Sequence, residues 1–471
     1  VAVNHGQPVY RQAMEDRLTA IFDIGKTNKK FFLFNRALKE VYREYTQIPE
    51  TTDEDGYPTE NLEALQQWLR NTFDSILNSR KYDIEAINFS SYGASLVHLD
   101  QHGSPLSPLY NYTKPYDPEL QEMFFGRYGP VKQFCSATGT TNAGMLNSGM
   151  QLYWLKHRKP ELFGKVRYSL HLPQYLSYLF TGVPLSEYTS IGCHTALWDY
   201  RREDYHPWVS SEGIDALLPP VVSAETSIKM TYLGEKRIRV GVGVHDSSAA
   251  LIPYIRSLKK RFILLSTGTW SIALNPFAES TLSEDDVAEN CINYMRINGK
   301  PVRAARLFLG NEYNLQVKAL SEKYKVSPDQ HKSVAYQPDI HKKIKSGFRP
   351  MFAWKSLEAK GAPAKTLYNH PDFDSAYHQL MYELAALQAD SIRRSIGRAD
   401  IKRLYIDGGF TDNPIFLEFL GQALPSMKLR TTKASLGSAL GAAIAVSGKR
   451  LSSEFLKKNY AMRKHVPKIL N

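Results

Sequence analysis

Apolar and polar positions run along the chain in blocks whose period changes. Residues 18–35, LTAIFDIGKTNKKFFLFN, read as an apolar strand, a polar turn around a glycine and a second apolar strand, the signature of a hairpin. Residues 61–79 then place Leu62, Leu65, Trp68, Leu69, Phe73, Ile76 and Leu77 at helical spacing, and 84–90 return to a short strand. A strand at 96–99 ends in the turn Asp100, Gln101, His102, Gly103. Segments 149–157 and 173–180 predict helices whose aromatic residues serve packing. A second strand-rich block opens near Ile238 with RVGVGVHDSSAALIPYI and continues as RFILLSTGTWSIALN. Residues 324–370 are weakly periodic and rich in Lys, Pro and Gly; a long helix at 373–394, a strand at 403–407 and a helix beginning near Leu436 follow. Helix and strand alternate, which means an α/β protein. No period of 20 to 50 residues appears. Strand, small polar turn and strand recur once in each half, as IFDIGKTNKKFFLF and FILLSTGTWSIAL, a recurrence that two related phosphate-cradling domains would produce.

Composition narrows the class. With 471 residues, 43% hydrophobic and 23% charged, the chain is neither a small disulfide module nor an extended disordered segment, and two large domains fit its length. Cys135, Cys193 and Cys291 are widely spaced, so buried thiols in a reducing compartment are expected, not a disulfide framework or a CxxC metal site. Charged residues interrupt the first twenty positions where a signal peptide needs an apolar core, and no apolar run is long enough to span a bilayer. A soluble, cytoplasmic protein with no membrane partner is expected. The net charge of +12 invites a nucleic-acid reading, but residues 449–471 hold seven Lys/Arg against Glu454, half of that excess. Elsewhere basic runs with interleaved aromatics are absent. The tail is expected to be a solvated basic helix, and no nucleic-acid partner is implied.

Three small-residue turns could carry chemistry. Gly25, Lys26 and Thr27 spell GKT, yet Ala20 stands where a P-loop needs its first glycine, and residues 30–34 have strand character instead of opening a helix. An anion site here would be a hairpin turn whose backbone N–H groups converge on phosphate, with Asp23 able to hold Mg²⁺ and Lys26 or Lys29 to neutralise charge. Ser266, Thr267, Gly268 and Thr269 repeat that content after an apolar strand, and Asp407, Gly408 and Gly409 form a third such turn.

Taken in order, these segments resemble the FGGY carbohydrate kinases over nearly the whole chain. DIGKTN (23–28) is similar to the family's first phosphate motif, GVHDSSAAL (243–251) to its catalytic-aspartate segment and STGTW (266–270) to its second phosphate motif. DGGFTDNPIF (407–416) resembles the adenosine motif, and LGSALGAA (436–443) the small-residue helix that closes it. The resemblance implies a two-domain actin-like ATPase (ribonuclease H-like) fold with an interdomain cleft. It implies an N-terminal sugar domain at 1–244, a nucleotide domain at 245–448 and the basic tail at 449–471. Asp246 would be the base that takes the sugar hydroxyl proton, with ATP as donor and Mg²⁺ held by Asp23 and Asp246. Gly25, Lys26, Thr27, Asn28 and Lys29 would bind phosphate with Ser266, Thr267, Gly268 and Thr269, while Gly408, Gly409 and Asn413 would bind adenosine.

SSYGASLVHLD (90–100) and YNYTKPYD (110–117) resemble the sugar-facing segments, which makes Ser91, Ser95, His98, Tyr112 and His245 candidate substrate contacts. Lys114 stands where the family customarily has Arg. His245 before Asp246 resembles the kinases of deoxyketohexoses such as L-rhamnulose and L-fuculose. A kinase of another ketose or a polyol, of xylulose or ribulose type, differs only in its pocket lining. A non-catalytic actin-like sugar- or nucleotide-binding protein would have lost Asp23, Asp246 or the STG turn, and all three are present. Partners are then a small sugar and ATP, with a homodimer as the assembly to test.

Overall fold

In the computed structural model, which describes residues 17–279, 281–434 and 436–468, the early hairpin forms as β1 (Arg17–Ile24) and β2 (Lys29–Asn35), extended antiparallel by β3 (Glu40–Thr46). Helix α1 (Leu62–Asn78) starts where the Asn61 side chain accepts the Ala64 N–H, and it lays Leu65, Leu69 and Phe73 in the core. Next comes β4 (Asp83–Ser91), parallel to β1. Strand β5 (Leu96–Leu99) follows, then α2 (Ser148–Arg158), β6 (Tyr168–His171) and α3 (Leu172–Thr181). The half ends with β7 (Ser227–Tyr232), β8 (Lys236–Gly241) and the short β9 (Val244–His245). The sheet order is β7-β8-β4-β1-β2-β3, with β9 also paired to β4. Ala20, Ile21 and Phe22 are all buried, as consecutive residues can be only in a strand covered on both faces.

The second half repeats the plan. Helix α4 (Asp246–Ser257) leads into β10 (Ile263–Thr267), β11 (Ser271–Asn275), β12 (Cys291–Met295) and β13 (Pro301–Leu307). Helices α5 (Leu309–Tyr324) and α6 (Phe373–Ile396) precede β14 (Arg403–Gly408), α7 (Pro414–Ala423), β15 (Lys428–Thr431), α8 (Gly437–Ser447) and β16 (Arg463–His465). The order β12-β13-β11-β10-β14-β15-β16 again joins an antiparallel meander to parallel strands. The recurring strand, turn and strand read from the sequence is therefore the front of each of two like-built sheets.

Helices α4 and α8 lie between the sheets in one core that includes Ile21 and Phe32 of the first sheet and Leu264 and Tyr405 of the second. Their contact depends on a missing side chain: a Cβ on Gly441 would sit 1.9 Å from the Ala249 carbonyl oxygen. Across the same seam the Asn88 amide of β4 donates to the Ala442 carbonyl at 2.9 Å. These two helices carry Asp246 and Ser438 at their N-terminal ends, so their packing sets the spacing of the site.

Two stretches differ from the sequence expectation. Residues 324–370 contain a helix, Pro338–Ser346, and are tethered by the buried Glu312 carboxylate, which accepts from the backbone N–H groups of Lys355 and Ser356. Side-chain anchoring of that kind leaves no hydrophobic period to read. The basic tail is not one helix. Among its described residues, only Phe455–Asn459 is helical, and β16 then pairs antiparallel with β15, because hydrogen bonding to an open sheet edge overrides helix propensity.

Candidate active site

Asp23 is the penultimate residue of β1, Ser90 lies beside it on β4, and Val244 pairs with Ser90. The C-terminal ends of the first sheet's strands thus converge where the chain turns into α4. Asp246 is the first residue of α4, with a side chain 36% exposed. A cavity of about 290 Å³ opens in front of it, lined also by Ser247, Ser266, Tyr294, Asp407 and Ser438. Every residue that lines this cavity belongs to the second half, and the first half meets that lining at Asp23. Ser438 donates its hydroxyl to the Asp23 carboxylate at 3.0 and 3.1 Å across the seam. Burial, opposed by Lys30 and the Ser438 hydroxyl, holds the Asp23 carboxyl above the usual carboxylate range, and the negative charge of Asp246 adds to the rise.

The charge of Asp246 acting on the buried Asp23 carboxyl is the observation that bears on a metal. A divalent cation beside Asp23 would offset the cost of ionising that buried carboxyl. No cluster of three or more His, Cys, Asp or Glu with metal-binding placement occurs among the described residues. Phosphate oxygens and water would have to complete the shell, as Mg²⁺ prefers.

A second cavity, about 230 Å³, is lined by Gly268, Thr269, Gly310, Tyr313, Gly409 and Asn413. Gly408 here has φ +93°, and a Cβ on it would lie 1.9 Å from the Thr267 carbonyl oxygen, so only glycine lets these two turns touch. Thr267 is a staple between them: its buried hydroxyl donates to the Asp407 carbonyl at 2.6 Å and accepts the Phe410 N–H at 3.2 Å. The Asn413 amide is already engaged, accepting from Phe416 N–H as an α7 cap and donating to Tyr377 Oη at 2.9 Å. The Asn413 side chain thus lines this wall with its amide nitrogen engaged and one lone pair of its oxygen in use.

The turn at 25–28 is closed by Gly25 N–H donating to Asn28 C=O at 3.0 Å, with Thr27 and Asn28 exposed. Lys26 pairs with Glu50 at 2.8 Å at the turn's rim. Lys29 does not face the cleft: it is 1% exposed, its ammonium 2.7 Å from the buried Glu60 carboxylate and 3.0 Å from the Lys26 carbonyl. A buried cation so matched fixes the turn and is not available to phosphate. His98 is likewise a core residue, its Nδ1 2.9 Å from Ser169 Oγ between the paired strands β5 and β6, with burial pushing it down to about 4. Ser91 and Ser95 are buried, the Ser91 hydroxyl without a partner, and Tyr112 packs half-buried against Tyr92. Lys114 is locked between Asp53 at 2.7 Å and Asp55 at 2.6 Å.

His245 is buried behind Asp246. Its Nε2 lies 3.2 Å from Asp246 Oδ1 and 3.2 Å from Cys193 Sγ, and its ring stacks on Tyr294. Burial holds it below its ordinary value against the pull of Asp246, which favours the neutral ring. A neutral His245 can donate Nε2–H to Asp246 and aim it. Tyr294 in turn contacts His194, with Oη 3.2 Å from Nε2. His194 and Tyr294 escape motif reading because only tertiary packing brings them to the Asp246 cavity, whereas Asp407 and Ser438 lie in the turn and the small-residue helix already singled out. All three cysteines are buried and unpaired.

Comparison with known proteins accords with this arrangement. The model of the FGGY family of carbohydrate kinases, N-terminal domain, matches residues 18–252, and that of the FGGY C-terminal domain matches 259–454. A rhamnulokinase of Halalkalibacterium halodurans is 25% identical over 273 residues, covering 53% of this chain and 52% of its own length. A xylulose kinase of Bacillus subtilis is 27% identical over 217 residues, covering 44% and 42%. The chain thus spans about half the length of the curated relatives it matches. Among solved structures, a carbohydrate kinase from Novosphingobium aromaticivorans superposes with TM-score 0.80 at 21% identity, covering 96% of this chain and 94% of that one. A Plasmodium falciparum glycerol kinase with ADP does so with TM-score 0.69 at 18% identity, covering 91% and 89%. The fold is the two-domain actin-like ATPase fold of these kinases. No helix of the described residues is long and apolar enough to cross a membrane.

Proposed function

The chain belongs to the FGGY family of carbohydrate kinases, and from that premise we propose that it transfers the γ-phosphoryl group of ATP to a hydroxyl of a ketose. A deoxyketohexose such as L-rhamnulose or L-fuculose is the leading acceptor. The observation that carries the reading is Asp246, half-open to a cavity that also holds Ser266, Asp407 and Ser438 and aimed by a buried neutral histidine. The sugar O–H proton passes to the Asp246 carboxylate as the oxygen attacks the γ-phosphorus, and the bond to the leaving ADP oxygen breaks. The turns at 25–28 and 266–269 supply backbone donors for the phosphates, and the pocket beside Gly409 and Tyr313 takes adenosine. Mg²⁺, held by Asp23 and Asp246 when bound, would offset phosphate charge. Exclusion of water by closing the two halves keeps the phosphoryl group from hydrolysis.

We take the domain boundary at 244/245, where β9 hands over to α4. The buried free thiols support a reducing, cytoplasmic setting. A xylulose- or ribulose-type acceptor is the second reading, supported by the comparable identity to the Bacillus subtilis enzyme. Purified protein with Mg-ATP and a panel of ketoses, aldoses and polyols, read by ADP release, tests the proposal. Turnover with a ketose well above background supports it, and background ATPase throughout would refute it.

A further inference from the structure

The cations around the first sheet's side of the cleft are matched to carboxylates: Lys26 to Glu50, Lys29 to Glu60 and Lys114 to Asp53 and Asp55, while Lys30 lies 4.0 Å from Asp23. Arg306 is different. No described carboxylate lies within 4.0 Å of its guanidinium. One Nη donates to Thr141 Oγ1 at 3.1 Å, and the buried Nε has no partner. Its plane sits 5.7 Å over the Trp270 ring, which is 46% exposed.

Strand register says which way this side chain faces. Asp407, Ser266, Ile272 and Arg306 are successive cross-strand partners on β14, β10, β11 and β13, and residues directly paired across a sheet share a face. The first three line the cavity that holds Asp246. Arg306 therefore continues that row past Ile272, away from Asp407 and toward Thr141 of the opposite domain. Electrostatics agree: burial and then the charge of Arg306 hold His194 well below its ordinary value, and His194 touches the cavity residue Tyr294. Asp407 and Ser266 stand at one end of the row, in the cavity that Asp246 also lines, and an unmatched guanidinium stands at the other; on the proposed kinase reading the first end takes the nucleotide, which leaves the far end for the acceptor.

Resting on the proposed ketose kinase activity, we propose that Arg306 reads the acceptor, its donor-only fork taking the keto oxygen and a neighbouring hydroxyl oxygen of the ketose. The guanidinium has five N–H donors and no acceptor, so it suits a carbonyl, which only accepts, better than the carbinol of the matching alditol, which carries a proton of its own. The group comes from the nucleotide domain while Ser91 and Tyr112 belong to the other, so the acceptor would bridge the two.

The test compares wild type with R306K and R306A on the best ketose of the panel and its alditol, measuring KM for each acceptor, KM for ATP and kcat, with thermal melting to verify folding. Loss of charged hydrogen bonds is expected to raise the ketose KM about 10- to 100-fold in R306A. ATP KM should change less than about 3-fold, and the ketose-over-alditol ratio of kcat/KM should fall at least about 5-fold. R306K, which keeps charge and loses the fork, should fall between. A structural role alone would lower the melting temperature without moving that ratio. Should R306A not fold, R306K and the sugar-induced change in Trp270 emission, referenced to W270F, read the same contact. An unchanged ketose KM and ratio in a folded variant overturns the assignment. If wild type phosphorylates no sugar, the activity itself is refuted, whereas a working wild type beside an indifferent R306A refutes only Arg306.

Discussion

Gly441→Ala adds one methyl group at the crossing of α4 and α8. In an open helix the change would help, since glycine costs about 0.5–1 kcal/mol relative to alanine. Here the new Cβ would meet the Ala249 carbonyl oxygen at 1.9 Å, a methyl group against backbone, with no flexible side chain to swing aside. Restoring a contact of even about 3 Å requires the helices to part by about 1 Å, and overpacking on that scale costs about 1–3 kcal/mol. At roughly 2 cal/mol/K per residue for a chain of this length, that lowers the melting temperature by about 1–3 °C. The larger effect is on the site. Asp246 and Ser438 lie at the N-terminal ends of those two helices, so separating them moves Asp246 relative to Asp23. A misplacement of about 1 Å costs up to about 100-fold in rate. The assay is kcat/KM for the phosphorylated ketose with circular-dichroism melting on the same preparation. Wild-type activity and melting in G441A would refute the reasoning that this close approach sets the site's spacing.

Other outcomes follow from the same structure. Asp246→Asn should lower kcat by about 100- to 10,000-fold, the range of general-base catalysis, while isothermal titration still detects ATP. Lys29→Met leaves Glu60 buried and unpaired and should cost about 3–5 kcal/mol by denaturant unfolding; a stable variant with a raised ATP KM would instead return Lys29 to the phosphate site. His98 sits near 4 when folded and near 6.5 when unfolded, so the unfolded chain binds the extra proton between those values. Stability should therefore fall as pH drops from about 6.5 toward 4, and H98Q should flatten that slope in melts taken across the window without changing sugar KM.

Much of this was legible in the chain. The IFDIGKTNKKFFLF and FILLSTGTWSIAL segments announce their hairpins because a strand buried on both faces leaves a continuous apolar run, broken only at the turn. The glycine turns were legible for a related reason: backbone approaches such as Gly408 to Thr267 tolerate no side chain, so their composition is fixed locally, while Asp23 and Asp246 were singled out through the resemblance of their segments. Partner identity was not. Lys29 and His98 occupy promising positions, yet whether such a group faces solvent or core depends on Glu60 and Ser169, 31 and 71 residues away in sequence. Arg306 and Tyr294 were silent for the converse reason, each placed by strand register and not by a local motif. The tail's basic residues suggested a helix, but only the open edge of β15 explains why 463–465 extend.

The account stands or falls on phosphoryl transfer dependent on Asp246. Incubating the protein with Mg-ATP and L-rhamnulose, L-fuculose, xylulose, ribulose, glycerol and matched aldoses, with ADP release followed against D246N, measures that directly. Ketose-dependent ADP release in wild type that disappears in D246N is the predicted result. Sugar-independent release alone, or equal turnover by D246N, would contradict it.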